Sequence, residues 1–477
     1  MTGFWNPVVA NMPEPTSRAA RFDAAARHPV WFDDMTAGPK LPPLTGEVQA
    51  DLAIVGGGFT GLWTALKARE RWPDARIVVI EAAACGHAAS GRNGGFCAPS
   101  ISHGVGNALQ RWPNEADSLI RLGRENLDGL ERDLDHHGID GGFARPGKLS
   151  VAATPWQVAG LRSMHDTYRR LGIDSVFLEG DALRERFDSP VYSAGLFEPN
   201  YALVHPGKLV YGLRAAALAA GVLIHENTEA TALMRDGDTL VLRTPTGQVR
   251  AGRVVLASNA SVPLLRRLRQ TVVPIFDYTL VTAPLTDAQL AQIGWTGAHG
   301  IADSGNQFHY FRKTDDNRIL WGGFDAIYHK GSRRDAALLH RPESLERLAA
   351  NFDAAFPSLE TIHFSHSWGG VIDTSARTTF FAGSAHGGRL AYAMGFTGQG
   401  VSASRFAALT MLDLIEGKTT KRTALRMVRS RAVPFPPEPF RTLAIGRAQR
   451  DLAHEDQTGK RSTFLKLMDR FGVGFDS

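Results

Sequence analysis

The hydrophobic pattern predicts two kinds of sheet in one chain. Asp51–Val55 (DLAIV) is a short apolar run ending at glycines, which predicts a buried strand. Thr60–Trp72 then carries apolar residues at helical spacing, and Arg76–Ile80 (RIVVI) is a second β-branched strand. Strand, helix and strand within about 30 residues form a βαβ unit, whose right-handed connection makes both strands parallel. Helices are predicted at 115–137, 209–220 (closed by Gly221 at its C-terminus) and 398–414. Strands are predicted at 222–225, 240–243, 248–256, 381–383 and 389–393. Between them the pattern changes. Residues 276–283 (FDYTLVTA) and 306–323 alternate aromatic or β-branched with polar positions, and Asp315-Asp316-Asn317 supplies a hairpin turn. These antiparallel strands suit a separate sheet.

The turn after the first strand carries the first chemistry. Gly56-Gly57-Gly58-Phe59-Thr60-Gly61 fits G-x-G-x-x-G, sits between a strand and a helix, and is followed 20 residues after Gly61 by Glu81 at the end of the next strand. In such a turn Gly56 permits the tight bend, Gly58 lets backbone approach a pyrophosphate, and Gly61 lets helix pack on strand. Phe59 and Thr60 bring helix N-terminal N–H groups to the phosphates. Glu81, with Ala82 beside it, can accept from ribose hydroxyls, and its charge argues against a 2′-phosphate. This motif alone leaves FAD and NAD both open.

Two further glycine clusters favour FAD. Ser90-Gly91-Arg92-Asn93-Gly94-Gly95 follows Glu81 closely, where a flavin needs a second loop along its pyrophosphate and ring. Gly395-Phe396-Thr397-Gly398-Gln399-Gly400-Val401 leads into a helix whose N-terminus can aim donors at the pyrimidine edge of a flavin, where reduction places charge.

Length and charge narrow the picture. At 477 residues the chain exceeds one core, so two domains are expected. Two cysteines exclude a disulfide scaffold. No apolar run is long enough to span a membrane, and the first 30 residues show no secretory pattern, so the expected location is the cytoplasm. Residues 418–470 hold 13 basic and 5 acidic residues, a net of +8 against +5 for the whole chain. The reading is a solvated face on tail helices, with no nucleic-acid signature beside it.

Taken together and in this order, the three glycine-rich segments resemble the FAD-dependent D-amino-acid oxidase superfamily. So do 221–230 (GVLIHENTEA), 254–260 (VVLASNA), the hairpin with His309-Tyr310-Phe311-Arg312, and Trp368-Gly369-Gly370. The likeness covers roughly 45–425, and ASGRNGG at 89–95 looks most like the γ-glutamylputrescine oxidase branch, beside glycine and sarcosine oxidases. The resemblance implies an α/β (overall α+β) fold with a Rossmann-type FAD domain and a substrate domain built on a large antiparallel sheet. The expected division is an arm at 1–47, an FAD domain at 48–145, 200–270 and 365–430, a substrate domain at 146–199 and 271–364, and a basic tail at 431–477. It implies that Ala230 contacts adenine through its backbone, that Ala257, Asn259 and Ala260 line the pyrophosphate side, and that 395–401 holds the ribityl chain and ring edge.

The implied reaction oxidises the C–N bond of a small amine or amino acid by hydride transfer to flavin N5, with imine hydrolysis and reoxidation by O2 or another acceptor. FAD is expected to be noncovalent, with His87 or Cys97 the place for a link otherwise; Cys85 is read as a buried apolar residue. His309 is expected to point into the pocket, since His309 and Phe311 share one strand face and Tyr310 and Arg312 the other. Tyr278, His103 and Trp368 are the other substrate-side candidates, and Arg377 a candidate for an anionic group. A dehydrogenase that does not use O2, a noncatalytic FAD-binding subunit and an RNA-modifying flavoprotein are the alternatives. γ-Glutamylated polyamines, N-methyl amino acids, simple amines and aminophosphonates all remain open as substrates.

Overall fold

The computed structural model describes residues 16–36 and 38–474; residues 1–15 of the expected arm lie outside the described ones. Strand Gly46–Val55 is central to an eight-stranded sheet. It runs parallel to Ile77–Ile80 on one side and to Gly247–Leu256 on the other, and Leu223–His225 and Leu390–Met394 extend the parallel array. Phe381–Ala385, Ala232–Asp236 and Thr239–Arg243 add antiparallel strands at its margins. The central segments are apolar on both faces because helices Phe59–Arg71, Pro206–Ala219 and Gly400–Ile415 cover one side, and Leu240 and Leu242 of strand Thr239–Arg243 pack on the other. The 206–219 helix stops as expected, with Val222 N–H bonded to Ala217 O beyond Gly221 at φ +76°.

A nine-stranded sheet forms the second layer. Val272–Thr282 pairs antiparallel with Phe364–Ser375, with Ile319–Gly323 and with Ile327–Tyr328. His309–Lys313 hairpins back onto Ile319–Gly323 and leads through Gly300–Asp303 to Lys148–Ala152, Ala194–Glu198 and Val176–Glu179. One face of it packs on helix Pro342–Ala355 in an aromatic core of Phe187, Phe311, Trp321, Phe352 and Phe356.

One domain boundary needs correction. Residues 365–375 were expected with the cofactor domain, but they lie in the long strand Phe364–Ser375 of the antiparallel sheet, and the chain leaves that sheet only after Ser375. The arm is more than a surface feature: Trp31 is 2% exposed, and its Nε1 donates to Asn93 O in the second glycine-rich loop (2.9 Å).

Candidate active site

A cavity of about 830 Å³ lies between the two sheets and is partly covered by the C-terminal helices. One wall is backbone. Gly56 has φ +112°, and a Cβ there would stand 2.4 Å from Ala257 O. A Cβ at Gly61 would stand 1.8 Å from Gly56 O, so turn, helix and neighbouring strand can approach only as glycines. Helix Phe59–Arg71 has no side-chain cap. Its first residues and Gly58 face the cavity, and Ser90 Oγ accepts from Phe59 N–H (2.9 Å). The Glu81 carboxylate accepts from Gly57 N–H (2.7 Å) and Ala83 N–H (2.9 Å), which leaves lone pairs for a further donor.

The 89–95 loop is folded by Asn93, whose amide donates to Ala89 O and Ser90 O while its Oδ1 accepts from Gly95 N–H. Arg92 was expected to face phosphate or ring. It lines the cavity, but its guanidinium donates to His87 O (3.0 Å) and Gly369 O (2.9 Å), tying the loop to the antiparallel sheet. Ser90, Asn93 and Gly94 line the cavity, whereas Gly91 and Gly95 sit behind its wall against Phe32 and Val204 O.

The third cluster is held by a residue the sequence did not single out. Asp373 accepts from Gly395 N–H and from Phe396 N–H (3.1 Å), and its own carbonyl accepts from Thr397 N–H. Burial pushes its carboxyl up to about 7, against the hydrogen bonds that favour the ion. Phe396, Thr397, Gly398, Gln399, Gly400 and Val401 line the cavity, with Gly395 behind them. The one signal for Asp373 was an acid inside an otherwise apolar run (GGVID).

Ala82, Ala230, Ala257 and Asn259 also line the cavity. Asn259 has a buried Oδ1 with no hydrogen-bond partner, an acceptor waiting for a ligand donor. A groove walled by close-packed glycines, a helix N-terminus whose N-cap residue has no side chain, a ribose-type carboxylate and an orphaned acceptor fits an extended dinucleotide.

On the substrate sheet the expectations and the structure part. His309 does not reach the cavity. It is fully buried, stacked between Trp321 and Phe324, with Nδ1 on Asp303 Oδ2 (2.7 Å) and Nε2 on Asn351 (2.9 Å). The opposite face of the strand is the cavity face, and Tyr310 lies on it. Tyr278 is likewise turned to the core and donates to Leu338 O (2.9 Å), whereas Val273, Ile275, Asp277 and Thr279 of the same strand line the cavity. Trp368 is buried away from the cavity, its Nε1 donating to Arg92 O (2.9 Å). Arg377 is buried against the carbonyls of Phe380 and Met427, so it meets no anionic substrate group.

His103 does line the cavity. It precedes helix Gly104–Arg111 at φ +64°; burial lowers its imidazole to about 4, and Nδ1 has no partner. His87 lines the cavity as well, whereas Cys97 does not, and burial pushes its thiol up to about 12.

Sequence reasoning missed the Tyr310–Asp277 pair. Tyr310 donates its hydroxyl to Asp277 Oδ2 (2.7 Å), and Tyr278 N–H donates to Asp277 Oδ1 (2.9 Å). Burial pushes the Asp277 carboxyl up to about 6. The tail reading also changes. Helices Phe440–Thr458 and Thr463–Arg470 turn Ala444, Ile445, Ala448, Leu452 and Met468 towards the cavity. Asp456 fastens them to the substrate sheet by accepting from Asn306 N–H (2.7 Å) and Gln307 N–H (2.9 Å). Four of the tail cations are ion-paired within the chain: Lys418 with Glu416, Arg422 with Asp413, Arg447 with Asp451, and Arg461 with Glu455 and Asp469.

Residues 51–414 match the family model for FAD-dependent oxidoreductases of the DAO type. The chain belongs to that family. Family members use FAD, and the chain is an FAD-dependent oxidoreductase related to amine and amino-acid oxidases. It is 28% identical to the gamma-glutamylputrescine oxidoreductase of Escherichia coli strain K12 over 442 residues, 90% of this chain and 95% of that protein. It is 24% identical to the sarcosine oxidase beta subunit of an Arthrobacter species, over 68% of this chain and 76% of that one. The crystal structure of glycine oxidase from Geobacillus kaustophilus superposes with a TM-score of 0.68 at 22% identity, covering 81% of this chain and all of that one. No described helix is long and apolar enough to cross a membrane. The DAO match ends before the C-terminal helices that close the cavity.

Proposed function

We propose that this enzyme oxidises the C–N bond of a small amine or amino acid with noncovalently bound FAD. The observation that carries the reading is one cavity shared by a dinucleotide cradle of backbone and a second wall bearing an acid and a phenol. When bound, FAD supplies the hydride acceptor and passes electrons to O2 or another acceptor.

The chain's own residues bind, orient and exclude water. The N–H groups of Gly58 and Thr60 would hold the pyrophosphate, Glu81 the ribose hydroxyls and Ala230 the adenine edge. Residues 90–94 and 396–401 would flank the ribityl chain and ring. Asp373 takes up the N–H groups of 395–397 and so fixes the backbone that leads into 398–401, whose position then needs no reorganisation as charge develops. His103, kept neutral by burial, can offer a hydrogen bond without placing a cation in the cavity. The apolar tail residues keep the reacting carbon dry, which favours a neutral amine over an ammonium.

The test is anaerobic mixing with a panel of amines and amino acids. Bleaching of the flavin bands supports the reading; protein that binds FAD but is bleached by no member of the panel overturns it. Peroxide yield in air then separates an oxidase from a dehydrogenase.

A further inference from the structure

An alkyl amine has a basicity like that of a lysine side chain, about 10.4, and reaches an enzyme at neutral pH as an ammonium. Losing a hydride from its carbon requires the nitrogen lone pair, so a proton must leave first. The cavity contains a group placed for that step. Alternation along Val272–Thr282 sets Val273, Ile275, Asp277 and Thr279 on the cavity face, leaving one carboxylate in a mainly apolar row. Asp277 forms no ion pair among the described residues; its oxygens meet only the Tyr310 hydroxyl and backbone N–H groups, of Tyr278 and Gly323. Each oxygen of a carboxylate can accept more than one donor.

The pair lies beside the expected ring site. The Tyr310 ring packs on Gly94, where a Cβ would come within 2.8 Å of it. Asp277 is paired across the ladder with Gly370, and a Cβ at Gly370 would lie 3.7 Å from Arg92 Cβ. Both contacts are with the 89–95 loop.

Resting on the amine-oxidation reading, we infer that Asp277, oriented by Tyr310, receives the substrate ammonium and takes its proton, and that the substrate is an alkyl amine with no carboxylate on the reacting carbon. In that step one N–H bond of the ammonium breaks, an O–H bond forms on Asp277, and the electron pair stays on nitrogen. A carboxylate-bearing substrate would need a cation facing it. The two arginines that line the cavity already donate to backbone carbonyls, Arg92 to His87 and Gly369, and Arg334 to Ala260 and Ser332. Lys148, the third such cation lining the cavity, is paired across the ladder with Glu198, whose carboxylate it offsets, and stands 5.5 Å over the Tyr201 ring.

The carboxyl's raised value of about 6 leaves it ionised at neutral pH and able to take a proton. The charged and titratable groups around it are few. Asp325, from the loop after Ile319–Gly323, is a like charge and is itself paired with Arg341 and Arg347. Tyr310 comes from the hairpin, Arg92 from the 89–95 loop, Asp373 from the strand Phe364–Ser375 and Tyr328 from the edge strand.

The experiment uses the FAD-loaded full chain and two ligands with no hydrogen on the carbon bearing nitrogen, tert-butylamine and 2-aminoisobutyrate. Neither can be oxidised, so perturbation of the flavin spectrum reports binding alone. Tert-butylamine is expected to bind at least about tenfold tighter than 2-aminoisobutyrate, and Asp277→Asn to weaken it by about tenfold or more. In turnover of an alkyl amine, kcat/KM is expected to fall below about pH 6 in the natural enzyme. Tyr310→Phe, which removes a hydrogen bond that favours the ion, moves that limb upward, and Asp277→Glu restores part of the lost binding. Tighter binding of 2-aminoisobutyrate, unchanged tert-butylamine binding in Asp277→Asn, or an acid limb that stays in place in Tyr310→Phe overturns the inference. If Asp277→Asn does not fold, the Tyr310→Phe profile decides alone. Bleaching by α-amino acids and not by amines would sink this inference while leaving C–N oxidation standing; bleaching by neither sinks both.

Discussion

The two walls of the cavity are made by different means. The parallel sheet contributes backbone: turns, a helix N-terminus and glycines whose missing side chains set the clearances. The antiparallel sheet contributes side chains, and which of them reach the cavity is decided by a period of two along each strand. At Gly56 and Gly61 the wall of backbone tolerates no added atom. A wall of side chains tolerates exchange within its outline but depends entirely on phase. This division lets one cofactor cradle serve many substrates, since the second wall can change without touching the first.

The sharpest way to break the contrast is at Gly61. Gly61→Ala would put a methyl group 1.8 Å from a backbone oxygen, and the expected loss is about 4 kcal/mol or more in folding or FAD retention. Flavin-to-protein absorbance of the purified variant, with circular dichroism, checks it. Normal flavin loading there would mean that the cradle is not close-packed.

His309 tests the other wall. His309→Ala should cost about 3–4 kcal/mol of stability, since it opens a space between Trp321 and Phe324 and strips Asp303 and Asn351 of a partner. Urea denaturation measures the loss, and kcat/KM of the folded fraction should stay within about threefold of the parent. A large kinetic defect with little loss of stability would put His309 in the site after all.

Glu81→Gln is a milder probe of the cradle. The amide turns one acceptor into a donor that faces a backbone N–H, so FAD affinity should drop by about 1–3 kcal/mol. Titrating apoprotein with FAD gives the value.

The smallest effect is expected at the tail. Burial pushes Asp456 up to about 6, above its value of about 3.9 in an unfolded chain. Its folded-state pKa is the higher one, so its contribution to holding the tail is complete below about pH 4 and declines as pH rises through about 6. A fluorophore on Leu467→Cys, a position 50% exposed, should report looser packing at pH 7.5 than at pH 5, by about tenfold or less. In Asp456→Asn that pH dependence should vanish.

The same contrast explains what the sequence disclosed. The cradle was readable because its parts are contiguous: strand, glycine turn, helix and acid follow one another, and their order is their geometry. The substrate wall was not. In the hairpin both faces carry a polar group, His309 and Arg312 among them, so composition could not say which face met the cavity. The Asp303 and Asn351 side chains that hold His309 inward come from a different strand and a helix. The Tyr278 hydroxyl marks a strand that does border the cavity, but one step in phase separates Tyr278 in the core from Asp277 in the site. The long strand Phe364–Ser375 went unrecognised because His366, Ser367, Gly369 and Gly370 break its apolar run. In the tail, positive charge obscured the apolar stripe of Ala444, Ala448 and Leu452 beneath it.

Those C-terminal helices make the cover of the cavity a separate piece from its walls. The helix bearing Ile445 and Ala448 meets the groove only through side chains laid over it, and Asp456 pins that helix to Asn306 and Gln307. A chamber roofed in this way can be uncovered by loosening one carboxylate's hold, with every glycine of the cradle left in place.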